Sequence, residues 1–169
     1  MASRAVALVP ALTLAASSWM SASHAGITDA ALRPVPAVSA GSCSFTKREY
    51  AAANSLDEST SENYVNLKDA GSIAFTQSKS GCVAGTFFAN AANIATGDHV
   101  GLQVLLDGSA CAPLSNGYIF ADSEYSSHSV AFFCGASIGP GKHTIQVQYR
   151  SGFGGNTQFF QRTLQVDHT

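Results

Sequence analysis

His143-Thr144-Ile145-Gln146-Val147-Gln148-Tyr149-Arg150, read beside His99-Val100-Gly101-Leu102-Gln103-Val104-Leu105-Leu106-Asp107, decides the fold class of this chain. In the first stretch Ile145, Val147 and Tyr149 alternate with Thr144, Gln146, Gln148 and Arg150. In the second, Val100, Leu102, Val104 and Leu106 share one face, with Gly101, Gln103 and Leu105 on the other. Successive side chains of a strand point to opposite faces, so a period of two marks a ribbon with one dry side and one wet side. Half-wet ribbons belong to antiparallel sheets, because parallel sheets are covered on both faces.

Working outward, six more stretches carry β-branched and aromatic residues between Gly, Asn, Asp, Ser and Pro punctuation. They are Tyr64–Leu67, Ser72–Gln77, Cys82–Asn90, Tyr118–Asp122, Ser129–Cys134 and Gln158–Val166. Val130, Phe132 and Cys134 are expected on one face, as are Phe160, Leu164 and Val166. Between the last two stretches, the glycines of Ser151-Gly152-Phe153-Gly154-Gly155-Asn156 suit a tight hairpin connection. No amphipathic helix intervenes, which argues against βαβ units. The pattern predicts an all-β fold: an antiparallel two-sheet β-sandwich over residues 64–169, jelly-roll-like, with about eight strands. An immunoglobulin-like arrangement lacks its Cys–Trp–Cys spacing, since the only tryptophan is Trp19.

Residues 1–25 read as a signal peptide. Arg4 precedes the apolar run Ala5–Ala16, and Ser23-His24-Ala25 places small residues at the positions a peptidase requires. That run is too short to span a bilayer, and no later stretch is long and apolar enough to do so. The expected location is therefore secreted or periplasmic. The 169 residues carry 46% hydrophobic but only 12% charged residues, with a formal charge of −2. No basic excess is present to drive binding to nucleic acid. Residues 26–63 are expected to form a flexible, polar leader, with Lys47–Ala53 either a short helical turn or a solvated loop.

Four cysteines in an exported chain point to disulfide bonds. Cys43, Cys82, Cys111 and Cys134 allow three connectivities, of which the uncrossed set, Cys43–Cys82 with Cys111–Cys134, is favoured. Their separations of 39, 29 and 23 positions do not suit zinc, which needs closely paired ligands.

The run Gly139-Pro140-Gly141-Lys142-His143-Thr144-Ile145-Gln146-Val147, closed by Arg162-Thr163-Leu164-Gln165-Val166, resembles the terminal hairpin of C1q/TNF-like jelly-roll modules of bacterial and phage proteins. The resemblance implies a non-enzymatic binding or structural head, often a homotrimer. It assigns no ligand residues.

Gly135-Ala136-Ser137-Ile138-Gly139 matches the Gly-x-Ser-x-Gly nucleophile elbow as text. That chemistry needs a helix after the serine, whereas Pro140-Gly141 and another alternating strand follow. His143, His99 and His128 begin strands, and convergence of histidines there could supply a base or a ligand. Asp98, Asp107, Asp122 and Glu124 are oxygen donors near strand ends, without a calcium-loop pattern. Tyr118, Tyr149, Tyr125 and Phe153 are candidates for stacking on sugars. These signals nominate a ligand rim of His143, His99, Tyr125 and Phe153, with no catalytic, cofactor or metal residue assigned. The expected function is an exported, non-catalytic binding or structural module for adhesion or surface assembly, with a protein or glycan partner. The alternative is a small secreted hydrolase or carbohydrate-binding module using rim histidines and acids.

Overall fold

The alternating segments form strands, and the strands pair into two antiparallel sheets. In the computed structural model, described for residues 43–95, 98–113, 118–121 and 125–169, eight strands carry the architecture. They are β1 (Lys47–Ala53), β4 (Ser72–Gln77), β5 (Gly81–Asn93), β6 (Val100–Leu106), β8 (Tyr118–Ala121), β9 (Ser126–Ile138), β10 (Gly141–Ser151) and β11 (Thr157–His168). Short strands β2 (Asp57–Ser59), β3 (Val65–Asn66) and β7 (Ser109–Ala110) are added at the margins. One sheet runs β1-β11-β5-β9. The other places β10 between β4 and β6, with β8 on the far side of β6. First and last strands are thus neighbours, and apart from β6 and β8 the successive long strands cross between sheets, which is the jelly-roll order.

The dry faces meet as the alternation requires. Val100, Leu102, Val104 and Leu106 of β6 and Ile145, Val147 and Tyr149 of β10 are all buried. They pack against Phe87 and Ala89 of β5, Val130 and Phe132 of β9, and Leu164 and Val166 of β11. Full burial of each large apolar side chain contributes about 1.5–3 kcal/mol. Phe159 is the centre of an aromatic cluster, with Tyr149, Phe120 and Phe87 at centroid distances of 4.9, 5.9 and 6.2 Å.

The β11 phase differs from the expected one. Phe159 is buried and Phe160 faces outward, because the register with β5 shifts between Phe160 and Thr163. The extra residue of this β-bulge is accommodated by Gln161 at φ 42°. Beyond it the inward positions become Arg162, Leu164, Val166 and His168.

Residues 26–63 do not act as a leader throughout, and the sandwich begins before position 64. Lys47–Ala53 is a strand, paired with β11 from Lys47↔His168 to Ala53↔Arg162, and β2 pairs with β11 next to it. Alanine disfavours strands in isolation, but an unpaired edge of β11 supplies the hydrogen bonds that override propensity. Residues 1–42, which include the expected signal peptide, lie outside the described residues.

Two kinds of tether hold the strands. Cys43–Cys82 joins the approach to β1 with the start of β5, and Cys111–Cys134 joins the segment after β7 to β9. Each constrains the unfolded chain by an amount worth about 3–4 kcal/mol. At the other end, buried charges hold the β1–β4 connection. The Arg162 guanidinium donates to the Ser55, Asp69 and Phe159 carbonyls and to Ser55 Oγ at 2.7–3.2 Å. Asp57 accepts from Lys68 N (2.7 Å) and from the Tyr149 hydroxyl (3.1 Å). Burial and the Asp57 carboxylate push the Tyr149 phenol pKa upward.

Two outcomes test this account. Intact mass should rise by the four hydrogens of two cystines on reduction, and an unchanged mass would remove both bridges. Arg162→Met should lower the free energy of urea unfolding by about 3 kcal/mol, since it strips donors from buried carbonyls.

Candidate functional site

A cleft on the outer face of the β1-β11-β5-β9 sheet forms beside the bulge. The bulge brings Gln161 to the surface beside the outward Phe160, opposite Asn90 and Ser127, and Tyr125 at the entry to β9 closes the wall. The resulting cleft has a volume of about 600 Å³ and is completed by Asn54 and Ser126. Tyr125 and Phe160 rings lie 5.6 Å apart, tilted by 53°, and Tyr125 is 54% exposed. Its floor is a relay of amides and hydroxyls: Ser127 Oγ donates to Asn90 Oδ1, and Asn90 Nδ2 donates to Gln161 Oε1. This relay orients the amide planes, and among the described residues no charged side chain lines the cleft.

A second cluster stands at the connections from β5 to β6 and from β10 to β11. Asp98 is 5% exposed and has no cationic partner in direct hydrogen-bond contact among the described residues. Its Oδ1 accepts from the backbone N–H groups of His99 (2.7 Å) and Phe153 (2.8 Å). Its Oδ2 accepts from Ser151 Oγ (2.7 Å), Gly155 N (2.8 Å) and Asn93 Nδ2 (2.9 Å). Burial pushes the carboxyl pKa up, but these hydrogen bonds outweigh it and hold the group at about 2, below its ordinary 3.8. The chain passes close to it: a Cβ on Gly152 or Gly155 would stand 2.6 Å from an Asp98 oxygen. The arrangement fixes Phe153, the most exposed large apolar side chain among those described, edge-on to the His99 ring at 5.5 Å.

His143 lies at the opposite end of the sandwich. It precedes Ser151 by eight positions on β10, or about 27 Å of extended strand. Its Nδ1 meets Asp107 Oδ2 at 2.7 Å, and its Nε2 meets the Gly139 carbonyl at 3.0 Å. Asp107 also accepts from Thr144 N at 2.8 Å. Burial raises the Asp107 pKa, yet the His143 and Thr144 hydrogen bonds carry it below its ordinary value. Ser137 shares a smaller cleft with Asp107, but both ring nitrogens of His143 are engaged elsewhere.

The expected single rim therefore divides into three places. His99 and Phe153 are together, Tyr125 joins Phe160, and His143 stands apart with Asp107. His128 does not converge with them: it faces the interior against Phe120 at 5.4 Å. Asp122 and Glu124 lie outside the described residues, as does the side chain of Tyr118. Tyr149 is core, with its hydroxyl on Asp57. Asn90, Ser127, Phe160 and Gln161 were not nominated from sequence. Their only local signal is two adjacent aromatics, Phe159-Phe160, where alternation allows one inward side chain.

No family model and no curated protein matches the chain. Among solved structures it is similar to dimeric latent PorU from Porphyromonas gingivalis, at 10% identity and a TM-score of 0.41. That match covers 76% of this chain and 14% of the PorU chain. It is also similar to the CBM36-1 domain of a multidomain xylanase from the hindgut metagenome of Trinervitermes trinervoides, at 12% identity and a TM-score of 0.35. There the match covers 70% of this chain and 96% of the domain. At these values neither likeness assigns a residue or a ligand.

The Asp98 cluster has a measurable acid signature. With a folded pKa below the ordinary value, its stabilisation is complete above about pH 5 and drains away as pH falls through 3.8 toward 2. Asp98→Asn should cost at least about 2 kcal/mol near neutrality and flatten that limb of a stability–pH profile. An unchanged profile would show that the carboxylate carries none of it.

Proposed function

We propose that the chain is an exported, non-catalytic binding module whose ligand is a glycan held in the Tyr125–Phe160 cleft. The observation that carries this reading is the lining: two aromatic rings beside Asn54, Asn90, Ser127 and Gln161, with no charge among the described residues. Aromatic faces cover the apolar C–H faces of a sugar ring, while side-chain amides and hydroxyls satisfy its hydroxyls. The hydroxyl–amide relay holds the polar groups in place before a ligand arrives, which lowers the entropy cost of binding. Export is supported by the signal-peptide pattern of residues 1–25 and by two cystines, which persist in oxidising compartments. Secreted and periplasmic destinations both fit.

One observation favours a second reading. Asp107 and His143 form a carboxylate–imidazole pair beside a cleft that also contains Ser137, the serine of the Gly-x-Ser-x-Gly text. For a hydrolase the His143 Nε2 would have to leave the Gly139 carbonyl for the serine hydroxyl. We favour the clamp: the pair ties the residue after β6 to the β9–β10 turn.

A glycan array probed with the purified exported protein tests the first reading. Binding to at least one neutral glycan is expected, with about tenfold loss, or 1.4 kcal/mol, in Tyr125→Ala. Absence of any glycan signal would overturn it. Turnover of p-nitrophenyl esters that vanishes in Ser137→Ala would establish the second reading instead.

A further inference from the structure

The cleft opens onto the outer face of the β1-β11-β5-β9 sheet, and the register shows what that face carries. Residues directly opposite in an antiparallel sheet share a face, so rows can be read across the strands. Beyond the cleft row of Phe160, Asn90 and Ser127 comes Ala52, Thr163, Phe88 and Ser129. The next row is Tyr50, Gln165, Thr86 and Ala131. None of these positions is charged. Their bulk lies along a diagonal from Tyr125 at the β9 edge through Phe88 on β5 to Tyr50, which is 66% exposed, on the β1 edge, with Phe160 on β11 beside its start. Among the described residues, charges on this side begin only past the third row, where Arg48 is spent on Asp167 at 2.6 Å. At the other end Glu58 accepts from Asn156 and Gln158. Three strand spacings and four residues along the strands give the diagonal a length of about 20 Å.

We propose that this face binds an extended, uncharged oligosaccharide chain along the diagonal, with Phe88 and Tyr50 as outlying subsites of the cleft. The inference rests on the cleft being a glycan site and goes on to specify the ligand as the interior of a neutral chain, longer than a disaccharide. Spacing decides the length: rings this far apart cannot touch one monosaccharide. Charge decides the class, because an anionic chain would lie over a face whose nearest cation is already paired. The composition decides between sugar and protein. Rings separated by Thr, Ser and Gln suit a ligand that alternates C–H faces with hydroxyls, whereas a second copy of this chain would require a continuous apolar patch.

Calorimetric titration of the exported protein with cellohexaose, mannohexaose, the corresponding disaccharides and hexagalacturonate tests the proposal. Tyr50 and Phe88 are surface positions, so Tyr50→Ala and Phe88→Ala should melt with the wild type. The expected result is a neutral hexasaccharide bound about tenfold more tightly than its disaccharide, with Tyr50→Ala removing most of that advantage and leaving disaccharide affinity unchanged. Equal affinities for both lengths, with Tyr125→Ala still damaging, would overturn the extended subsites and leave the cleft reading standing. Tighter binding of hexagalacturonate would overturn the neutral class. Loss of every sugar signal would remove both readings. A wild-type dimer in light scattering that Tyr50→Asp converts to monomer would reassign the face to self-association.

Discussion

The structure turns on one surplus residue in β11. A strand without a bulge would alternate Phe159 inward, Phe160 outward, Gln161 inward and Arg162 outward. The register shift after Phe160 puts Gln161 on the surface in a left-handed conformation and swings Arg162 inside. An L-residue away from glycine rarely adopts that φ, so the surroundings must impose it. They do so from both faces. Inside, Phe159 is fully buried against Tyr149 and Phe120, and Arg162 donates to three carbonyls and the Ser55 hydroxyl. Outside, Gln161 accepts from Asn90. The same distortion therefore closes the interior and opens the cleft.

The two ends of the sandwich are secured by different physics. Both disulfides lie toward the end where β9 turns into β10, together with the Asp107–His143 clamp. The opposite end relies on buried ions. Arg162 and Asp57 pin the long β1–β4 connection, and Asp98 gathers backbone donors from two other connections. A buried carboxylate without enough partners would be strongly destabilising, whereas one that accepts five hydrogen bonds makes its loops cohere as a unit. The covalent end is held by bonds that no change of pH removes. The ionic end holds only while its charges are made.

An uncharged, hydroxyl-rich outer face is physically costly to keep exposed unless water wets it, and water does so here because aromatic and polar positions alternate across the rows. The low charge content of the chain is thereby concentrated in effect: charges occupy interior ties and the margins of the sheet, leaving its middle free of them. A polyol fits such a face without desolvating an ion.

Much of the fold was legible along the chain. Val100 to Leu106 and Ile145 to Tyr149 announce their buried faces by simple alternation, and eight strands without helices leave the two-sheet sandwich as the economical arrangement. Lys47–Ala53 was illegible because its strand state comes from the waiting edge of β11 and from nothing in its alanines. Phe160 was assigned to the wrong face because alternation counts residues evenly and a bulge does not. The rim of His143, His99, Tyr125 and Phe153 joined residues that all stand near strand ends, but a strand has two ends and only pairing says which. Local periodicity thus determined which side chains are dry. Which of them meet, where the extra residue goes and which outward residues share a face were decided by hydrogen-bond register between strands distant in sequence.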